Sequence, residues 1–325
     1  MDDFGAIVDL LKRESRFLLL LHRLPDGDTV GSSLGLAWVL RTAGRQVLVV
    51  STDEIPPHYR FLPGAGEVLT PHMLPEGPLG AGMVLDTTHP RRLGEAAKLL
   101  HRCRTVVNID HHITNEQFGD LNYVDPSAAA VGEQVFRLLV EAGLPIDDKA
   151  ATCLYAALVT DTGSFSYQNT TAITHRIAGE LVRMGARPRE VVENLFERRR
   201  LAALKLLGKG LDTLRLSHEG TVAWMVISRR MMREVGATDG DCEGLVDYPR
   251  TIAGVEVAVL FREMEDGQVR VTFRSRRCTD VAALAREWGG GGHPRAAGCV
   301  LEGPLWSVVE TVIRRVEQVV AQARG

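Results

Sequence analysis

Arg16-Phe17-Leu18-Leu19-Leu20-Leu21-His22, running on into Arg23-Leu24-Pro25-Asp26-Gly27-Asp28, decides the fold. The Phe17–Leu21 run carries no polar alternation, which marks a strand buried on both faces, the kind found in parallel sheets. It is far shorter than the ~20 residues that cross a bilayer. Pro25 and the Asp26-Gly27 pair end the strand, and a helical pattern over residues 29–43 follows, closed by Gly44. The same alternation continues outward. Strands are expected at 16–22, 46–51, 83–86 and 105–110, and helices at 93–100, 131–142 and 149–160. Strands alternating with helices predict an α/β domain built on a parallel sheet. Pro56-Pro57 and the Gly/Pro-rich stretch 71–82 read as loops.

A second composition begins near residue 187. Residues 187–216 read as a long charged helical stretch containing Glu197-Arg198-Arg199-Arg200, interrupted by Gly208 and Gly210. Strands are expected at 221–228, 255–263 and 268–275, the last two joined through the hairpin signal Glu265-Asp266-Gly267. Helices at 281–288 and 305–323 complete a smaller α+β unit. The expected domains are 1–186, a helical linker 187–217, and 218–325. A chain of 325 residues agrees with two domains on the soft prior of about 150 residues each.

Composition excludes several classes. Lys+Arg 38 against Asp+Glu 41 gives a net charge of −3, so no global positive field advertises a nucleic-acid coat. Aromatics are 6%, too few for a surface made mainly of base-stacking platforms. Cys103, Cys153, Cys242, Cys278 and Cys299 are scattered with no CxxC pair, which fits reduced thiols rather than disulfides or a thiolate zinc site. The acidic start Met1-Asp2-Asp3 is unlike a basic signal peptide, and no segment is long enough to span a membrane. A cytoplasmic location is expected.

The chemistry lies where strands end. The first ends at His22 and runs into Asp26 and Asp28, the third ends in Asp86, and the fourth in Asp110-His111-His112; Asp161 follows the helix 149–160. Ligands of an open parallel sheet bind beyond the carboxyl ends of its strands, so these remote groups are expected to converge there. Four carboxylates, Asp26, Asp28, Asp86 and Asp161, would repel unless cations lay among them. Oxygen ligands with imidazoles and no thiolate suit Mn²⁺, with Mg²⁺ or Fe²⁺ as alternatives. Two such ions about 3.5–4 Å apart serve in-line attack on phosphorus. Singly, each motif has a plain reading: Asp-Gly-Asp as a turn, adjacent histidines as a capped helix start, Asp161-Thr162-Gly163 as a helix end. Their joint placement at element ends of one sheet favours a shared metal site.

His22-x-x-Pro25-Asp26-Gly27-Asp28-x-x-Gly31-Ser32, Asp86-Thr87-Thr88, Asp110-His111-His112 and Asp161-Thr162-Gly163-x-Phe165 resemble the four motifs of the DHH phosphoesterase superfamily, in order. Arg274-Ser275 with Gly289-Gly290-Gly291-Gly292-His293-x-x-Ala296-Ala297-Gly298 resembles the DHH-associated C-terminal domain. The match runs from about residue 15 to 320, and the two-domain length is similar to that of bacterial nanoRNase/pAp phosphatases. His89 stands where that group often has an acid. The resemblance implies that His22 and Asp26 hold one metal, that Asp28, His111 and Asp161 hold the other, and that Asp86 bridges. It also implies that His112 faces substrate and that Asp110 orients a neighbouring imidazole. Asn108 and Asn115 flank the motif as candidates for the same supporting role, or as plain turn formers. A short RNA, 3′-phosphoadenosine 5′-phosphate (pAp) or a linear or cyclic dinucleotide is the implied substrate. No membrane and no stable long nucleic-acid complex are expected, and a homodimer is compatible.

The four glycines can turn backbone N–H groups toward one point as an anion nest. Around them, residues 268–298 hold six arginines against Asp280 and Glu287, a net of +4, which leaves −7 for the remainder of the chain. A cationic glycine-rich segment beside an acidic metal domain suits a phosphodiester gripped between the two. Arg274 and His293 are the foremost expected phosphate contacts, with Ser275, Gly290, Gly291 and Gly292. Competing readings are weaker. Gly31-Ser32-Ser33-Leu34-Gly35 matches the hydrolase GxSxG elbow, but Ser33 falls inside the first helix rather than on a turn after a strand. A non-catalytic nucleic-acid module has no use for four convergent aspartates. Manganese inorganic pyrophosphatases resemble the N-terminal half but lack the glycine-rich tail.

Overall fold

The computed structural model describes residues 3–217 and 219–324; the side chains of His293 and Arg324 lie outside that description. The chain divides into two compact units, one up to Arg198 and one from Arg199.

The first unit contains α1 (Phe4–Arg13), β1 (Arg16–Leu20), α2 (Gly27–Thr42), β2 (Gln46–Val50), β3 (Ala81–Leu85), β4 (Thr105–Asp110), β5 (Leu121–Val124), α3 (Val131–Ala142), α4 (Asp148–Asp161), α5 (Ala172–Arg183) and α6 (Pro188–Val192). The five strands form one parallel sheet in the order β2-β1-β3-β4-β5. Both faces of β1 are buried: Phe17, Leu19 and Leu21 enter one core with α1–α5, while Leu18 and Leu20 enter another under Pro90–Arg102. That two-sided burial is why the strand reads as an unbroken apolar run. In this strand order the crevice opens between β1 and β3, where the chain reverses its direction of travel across the sheet. Leu20 pairs with Val84, so His22 and Asp86 leave the sheet side by side.

Close helix packing completes the frame. Gly27, Gly31 and Gly35 form a stripe at four-residue spacing along α2, facing α4. A Cβ on Gly31 would lie 2.5 Å from the Cys153 carbonyl oxygen and 2.9 Å from the Ala157 nitrogen. Only glycine lets the two backbones approach this closely, and the approach brings the start of α2 (Asp28) to the end of α4 (Asp161). Ser33 is fully buried inside α2 with no hydrogen-bond partner for its hydroxyl, which removes the nucleophile-elbow reading.

The second unit contains α7 (Leu201–Asp212), β6 (Arg215–Leu216), β7 (Val222–Ile227), α8 (Arg229–Val235), α9 (Asp247–Arg250), β8 (Val257–Glu263), β9 (Val269–Ser275), α10 (Val281–Arg286), β10 (Gly291–His293), β11 (Ala296–Leu301) and α11 (Leu305–Arg324). Its six-stranded sheet runs β10-β11-β9-β8-β7-β6, with β7 and β8 parallel and the remaining pairs antiparallel. Along β8, Val257, Val259 and Phe261 pack with α10 and α11, while Ala258 and Leu260 pack with α7, α8 and the residues Cys242, Leu245 and Val246 that lead into α9. No described helix is long and apolar enough to cross a membrane.

Two helical expectations are corrected. Residues 93–100 lie in a 3₁₀ segment, Pro90–Arg102, kinked at Gly94 (φ 61°, ψ −131°), a conformation that no helix interior accommodates. The stretch 187–216 is not interrupted at Gly208 and Gly210, since α7 runs through both. It breaks instead at Arg198–Arg200, after a π-helical turn at Glu193–Glu197. Gly210 has a packing reason, because a Cβ there would meet Ile227 Cδ1 at 2.9 Å.

Candidate active site

Six ligand-type side chains meet at the carboxyl edge of the first sheet. His22 Nε2 lies 3.4 Å from Asp86 Oδ2 and 3.7 Å from Asp26 Oδ2. His111 Nε2 lies 3.7 Å from Asp86 Oδ1 and 3.5 Å from Asp161 Oδ2. Ligand atoms lie within 4.8 Å of one another in three overlapping groups, His22/Asp26/Asp86, Asp28/His111/Asp161 and Asp86/Asp110/His111/His112; the first two together contain the six side chains. Asp86 offers one oxygen to each side. It also adopts φ 54°, a left-handed conformation that costs an L-residue of order 1–3 kcal/mol and is held by its N–H donating to the Ile109 carbonyl at 2.9 Å. Among the described residues the other non-glycine positive-φ positions are Leu24, Gln117, Ser164 and Phe165, all in the loops that carry or flank these groups.

Each imidazole is oriented by its second nitrogen. Nδ1 of His22 is 2.8 Å from the Arg23 carbonyl, and Nδ1 of His111 is 3.1 Å from the Ala128 carbonyl, so both turn Nε2 into the cluster. His112 is arranged differently. Its Nδ1 sits 2.7 Å from Asp110 Oδ1, which directs Nε2 away from that carboxylate. Asp110 also accepts from the backbone N–H groups of His111 and His112 and, at Oδ2, from Asn115 Nδ2 at 2.6 Å. Asn115 donates to Asn108 Oδ1 as well, and Asn108 in turn to the Thr87 carbonyl. Both asparagines therefore join the supporting network, and Asn115 also forms a turn, its Oδ1 accepting from the Gln117 N–H at 2.6 Å. His89 is a helix cap: its Nδ1 accepts from the Arg91 N–H, and its Nε2 lies 3.4 Å from Glu116.

The electrostatics of the donor set fit divalent cations. Buried His22 Nε2 and Asp86 Oδ1 have no hydrogen-bond partner, although both point into the cluster. Burial, then the Asp86 and Asp161 charges, push the Asp28 carboxyl well above its usual range. Burial also pushes Asp161 up to about 7, reinforced by Asp86 and Asp26 and opposed by His111. Burial works against a charged His22, yet Asp26 and Asp86 outweigh it and raise the imidazole to about 10. Without metal the site must keep protons to tolerate its own charge, and cations placed among these groups remove that need.

Several groups here leave no readable mark in the sequence. The Ala128 carbonyl, the Val131 and Gly132 amides that hold Asp28, and Asn169 beneath Asp161 act through backbone or from loops with no motif. Glu133, buried at the start of α3, had a signal in the form of an acid in an otherwise apolar first turn, but it reads as an ordinary helix-start charge.

In the second unit, Arg274 on β9 pairs across the sheet with Ala296, which pairs with His293, so Arg274, Ala296 and His293 form one row. The His293 side chain lies outside the described residues. Arg274 Nη1 donates to its neighbour's Phe273 carbonyl, and Nε is 3.9 Å from Asp247. Ser275 is buried, and its hydroxyl donates to the Pro294 carbonyl at 3.3 Å, tying down the turn between β10 and β11. The glycine run is not a four-residue nest. Gly289 and Gly290 close α10 by donating to Arg286 and Ala285, and Gly291 and Gly292 enter the edge strand β10. Three consecutive amides do converge in this unit, at Arg277, Cys278 and Thr279, and their target is Glu256 Oε1 at 3.1, 2.8 and 3.1 Å.

Comparison with known sequences agrees with this geometry. Residues 16–158 match the DHH family N-terminal domain and residues 221–322 match the DHHA1 domain. The bifunctional oligoribonuclease and PAP phosphatase NrnA of Thermus thermophilus is 34% identical over 98% of this chain and 94% of its own. The chain belongs to the DHH family. As a DHH phosphoesterase it is a metal-dependent hydrolase. NrnA of Bacillus subtilis is 33% identical over 92% of this chain and 93% of its own. The cyclic-di-AMP phosphodiesterase PdeA of Listeria monocytogenes is more distant, 24% identical over 45% of its length. The crystal structure of an exopolyphosphatase-related protein from Bacteroides fragilis superposes with a TM-score of 0.90 at 25% identity, covering 98% of this chain and 95% of that one.

Proposed function

We propose that this DHH-family protein hydrolyses short oligoribonucleotides and pAp to mononucleotides, using two divalent cations, with Mn²⁺ the best fit to the donors. The observation that carries the reading is Asp86, which turns one oxygen toward each of two ligand clusters at the crevice between β1 and β3. The near full-length likeness to NrnA proteins supports the substrate class. His22, Asp26 and Asp86 would hold one ion, and Asp28, His111, Asp161 and Asp86 the other. When bound, the pair supplies Lewis acidity and a water acidic enough to act near neutral pH.

The chain's own residues do the rest. Asp110 fixes the His112 ring through Nδ1, and that ring delivers a proton to the departing ester oxygen. Arg274 contributes positive charge to a substrate phosphate, and Ser275 keeps the adjoining turn in place. The row from Arg274 to His293 supplies the phosphate-facing edge of the second unit.

The test is a substrate panel of pAp, a diribonucleotide and cyclic di-AMP, each with Mn²⁺ or with EDTA. Release of mononucleotide from the first two with Mn²⁺ and none with EDTA is expected. Exclusive turnover of cyclic di-AMP would move the protein to the phosphodiesterase branch, and metal-independent turnover would overturn the mechanism.

A further inference from the structure

Five consecutive residues, 128–132, hydrogen-bond directly to His111 and Asp28 and are linked through Asn169 to the Asp161 backbone. The Ala128 carbonyl sits 3.1 Å from His111 Nδ1. The Val131 and Gly132 amides, the free N–H groups that begin α3, donate to Asp28 Oδ2 at 2.6 Å and Oδ1 at 3.0 Å. Asn169 Nδ2 donates both to the Ala129 carbonyl and to the Asp161 carbonyl, each at 3.0 Å. By contrast, His22 and Asp26 are supported only locally, by the Arg23 carbonyl and the Thr29 amide, although their loop is itself anchored by the Arg23 N–H to the Arg92 carbonyl and by the Leu24 N–H to Asp53. The Asp26 side chain is 55% exposed, and Leu24 between them is 69% exposed at φ 52°. One cluster is built on a shared strut, the other on a solvent-facing loop.

Glu133 fastens the strut. The residue that caps α3 is Ala130, which has no side chain to accept a hydrogen bond. Glu133, only 1% exposed, reaches back instead and accepts from the Ala129 N–H at 3.4 Å, while Thr174 on α5 donates to the same oxygen at 3.2 Å. Its other oxygen pairs with Arg137, which also reaches Asp125 Oδ2 at 3.2 Å; the Asp125 N–H donates to the Asp110 carbonyl. The carboxylate thus holds the segment at Ala129 and, through Arg137, the chain ahead of it at Asp125.

We propose that Glu133 is a positioning residue that sets the affinity of the Asp28/His111/Asp161 cluster for its cation, so that the two cation sites are unequal: this one preorganised, the His22/Asp26 one weaker and more readily exchanged. The proposal rests on the reading that the two clusters hold two divalent ions. Partners lying behind metal ligands change affinity by roughly 10–100-fold when removed.

The experiment is a Mn²⁺ titration of the metal-free protein by calorimetry, with electron paramagnetic resonance of the bound ions. The wild type is expected to bind in two steps of different affinity and to reach a spin-coupled pair. Glu133→Ala should weaken the tighter step by about tenfold or more and leave the weaker one within about threefold, so that the resonance of protein-bound Mn²⁺ appears only at higher total metal. Glu133→Gln, which keeps an acceptor for Ala129, should recover part of the loss. Should Glu133→Ala fail to fold, Asn169→Ala cuts the strut from Asp161 at an exposed site and is expected to weaken the same step. Unchanged affinities in a folded Glu133→Ala, or an equal loss at both steps, would overturn the positioning role. A wild type that binds no Mn²⁺, or a single ion, would instead overturn the two-cation reading on which it rests.

Discussion

The two units present their functional groups in opposite ways. In the first, His22, Asp28, Asp86 and Asp110 are all buried; Asp28 is fixed by the start of α3 and Asp86 by β4, while His22 and Asp110 are held by backbone groups of their own loops. In the second, Arg274 is 29% exposed, tied to the neighbouring Phe273 carbonyl and to Asp247, and the glycine run beside it is divided between a helix end and an edge strand. Charge brought together in a buried site is costly and must be exactingly placed, which suits it to act on a transition state. A partly exposed guanidinium suits ground-state binding of phosphate. Substitutions in the first unit should therefore lower kcat, and those in the second should raise KM.

The largest effect is expected at Asp86. Asp86→Ala removes the oxygens shared by both clusters, and kcat on pAp should fall on the order of 10³-fold or more while the circular dichroism spectrum is kept. Turnover near that of the wild type would break the contrast at its stronger end. Arg274→Ala should raise KM for pAp about tenfold with a smaller change in kcat. A loss confined to kcat would show that the second unit works on the transition state after all.

Both expectations start from residues that the sequence announces, and the reason is the same in each case. His22, Asp26, Asp86, Asp110, His111, His112 and Asp161 follow strands or a helix whose apolar runs are long and regular, so their place at one sheet edge follows from topology. β4 and α3 occur at the expected bounds for that reason. What stayed hidden has no such flank. β5, α5 and the β10–β11 hairpin are short or polar, and their positions come from tertiary pairing rather than local pattern. Asp28 shows both sides. Its motif is legible, yet the Val131 and Gly132 amides that hold it lie more than a hundred positions away and have no side-chain signature. The anion nest expected of the glycines failed for a related reason. A run of glycines permits many backbone paths, and strand pairing with β11 selects one, while the amides that do converge are gathered by a distant glutamate.

That glutamate gives the smallest effect, confined to the stability of the second unit. Burial opposes ionisation of Glu256, but the amides of Thr279, Cys278 and Arg277 outweigh it and hold the carboxyl below its usual range. A carboxyl depressed on folding stabilises the folded state above its unfolded value of about 4.5, and that contribution is lost as pH falls through the folded value. Glu256→Ala should cost about 1–3 kcal/mol in urea unfolding at pH 7, by leaving these amides without their acceptor. The gap between wild type and Glu256→Gln should narrow as pH drops below about 4.5. A gap independent of pH would mean that the carboxylate charge does not hold this turn.

The most direct measurement is anomalous diffraction at the manganese edge from crystals of the protein grown with Mn²⁺. Two peaks are expected, one among His22, Asp26 and Asp86 and one among Asp28, His111 and Asp161, with an Asp86 oxygen facing each. A single peak elsewhere, or no peak with Asp86 turned out of the crevice, would contradict the account.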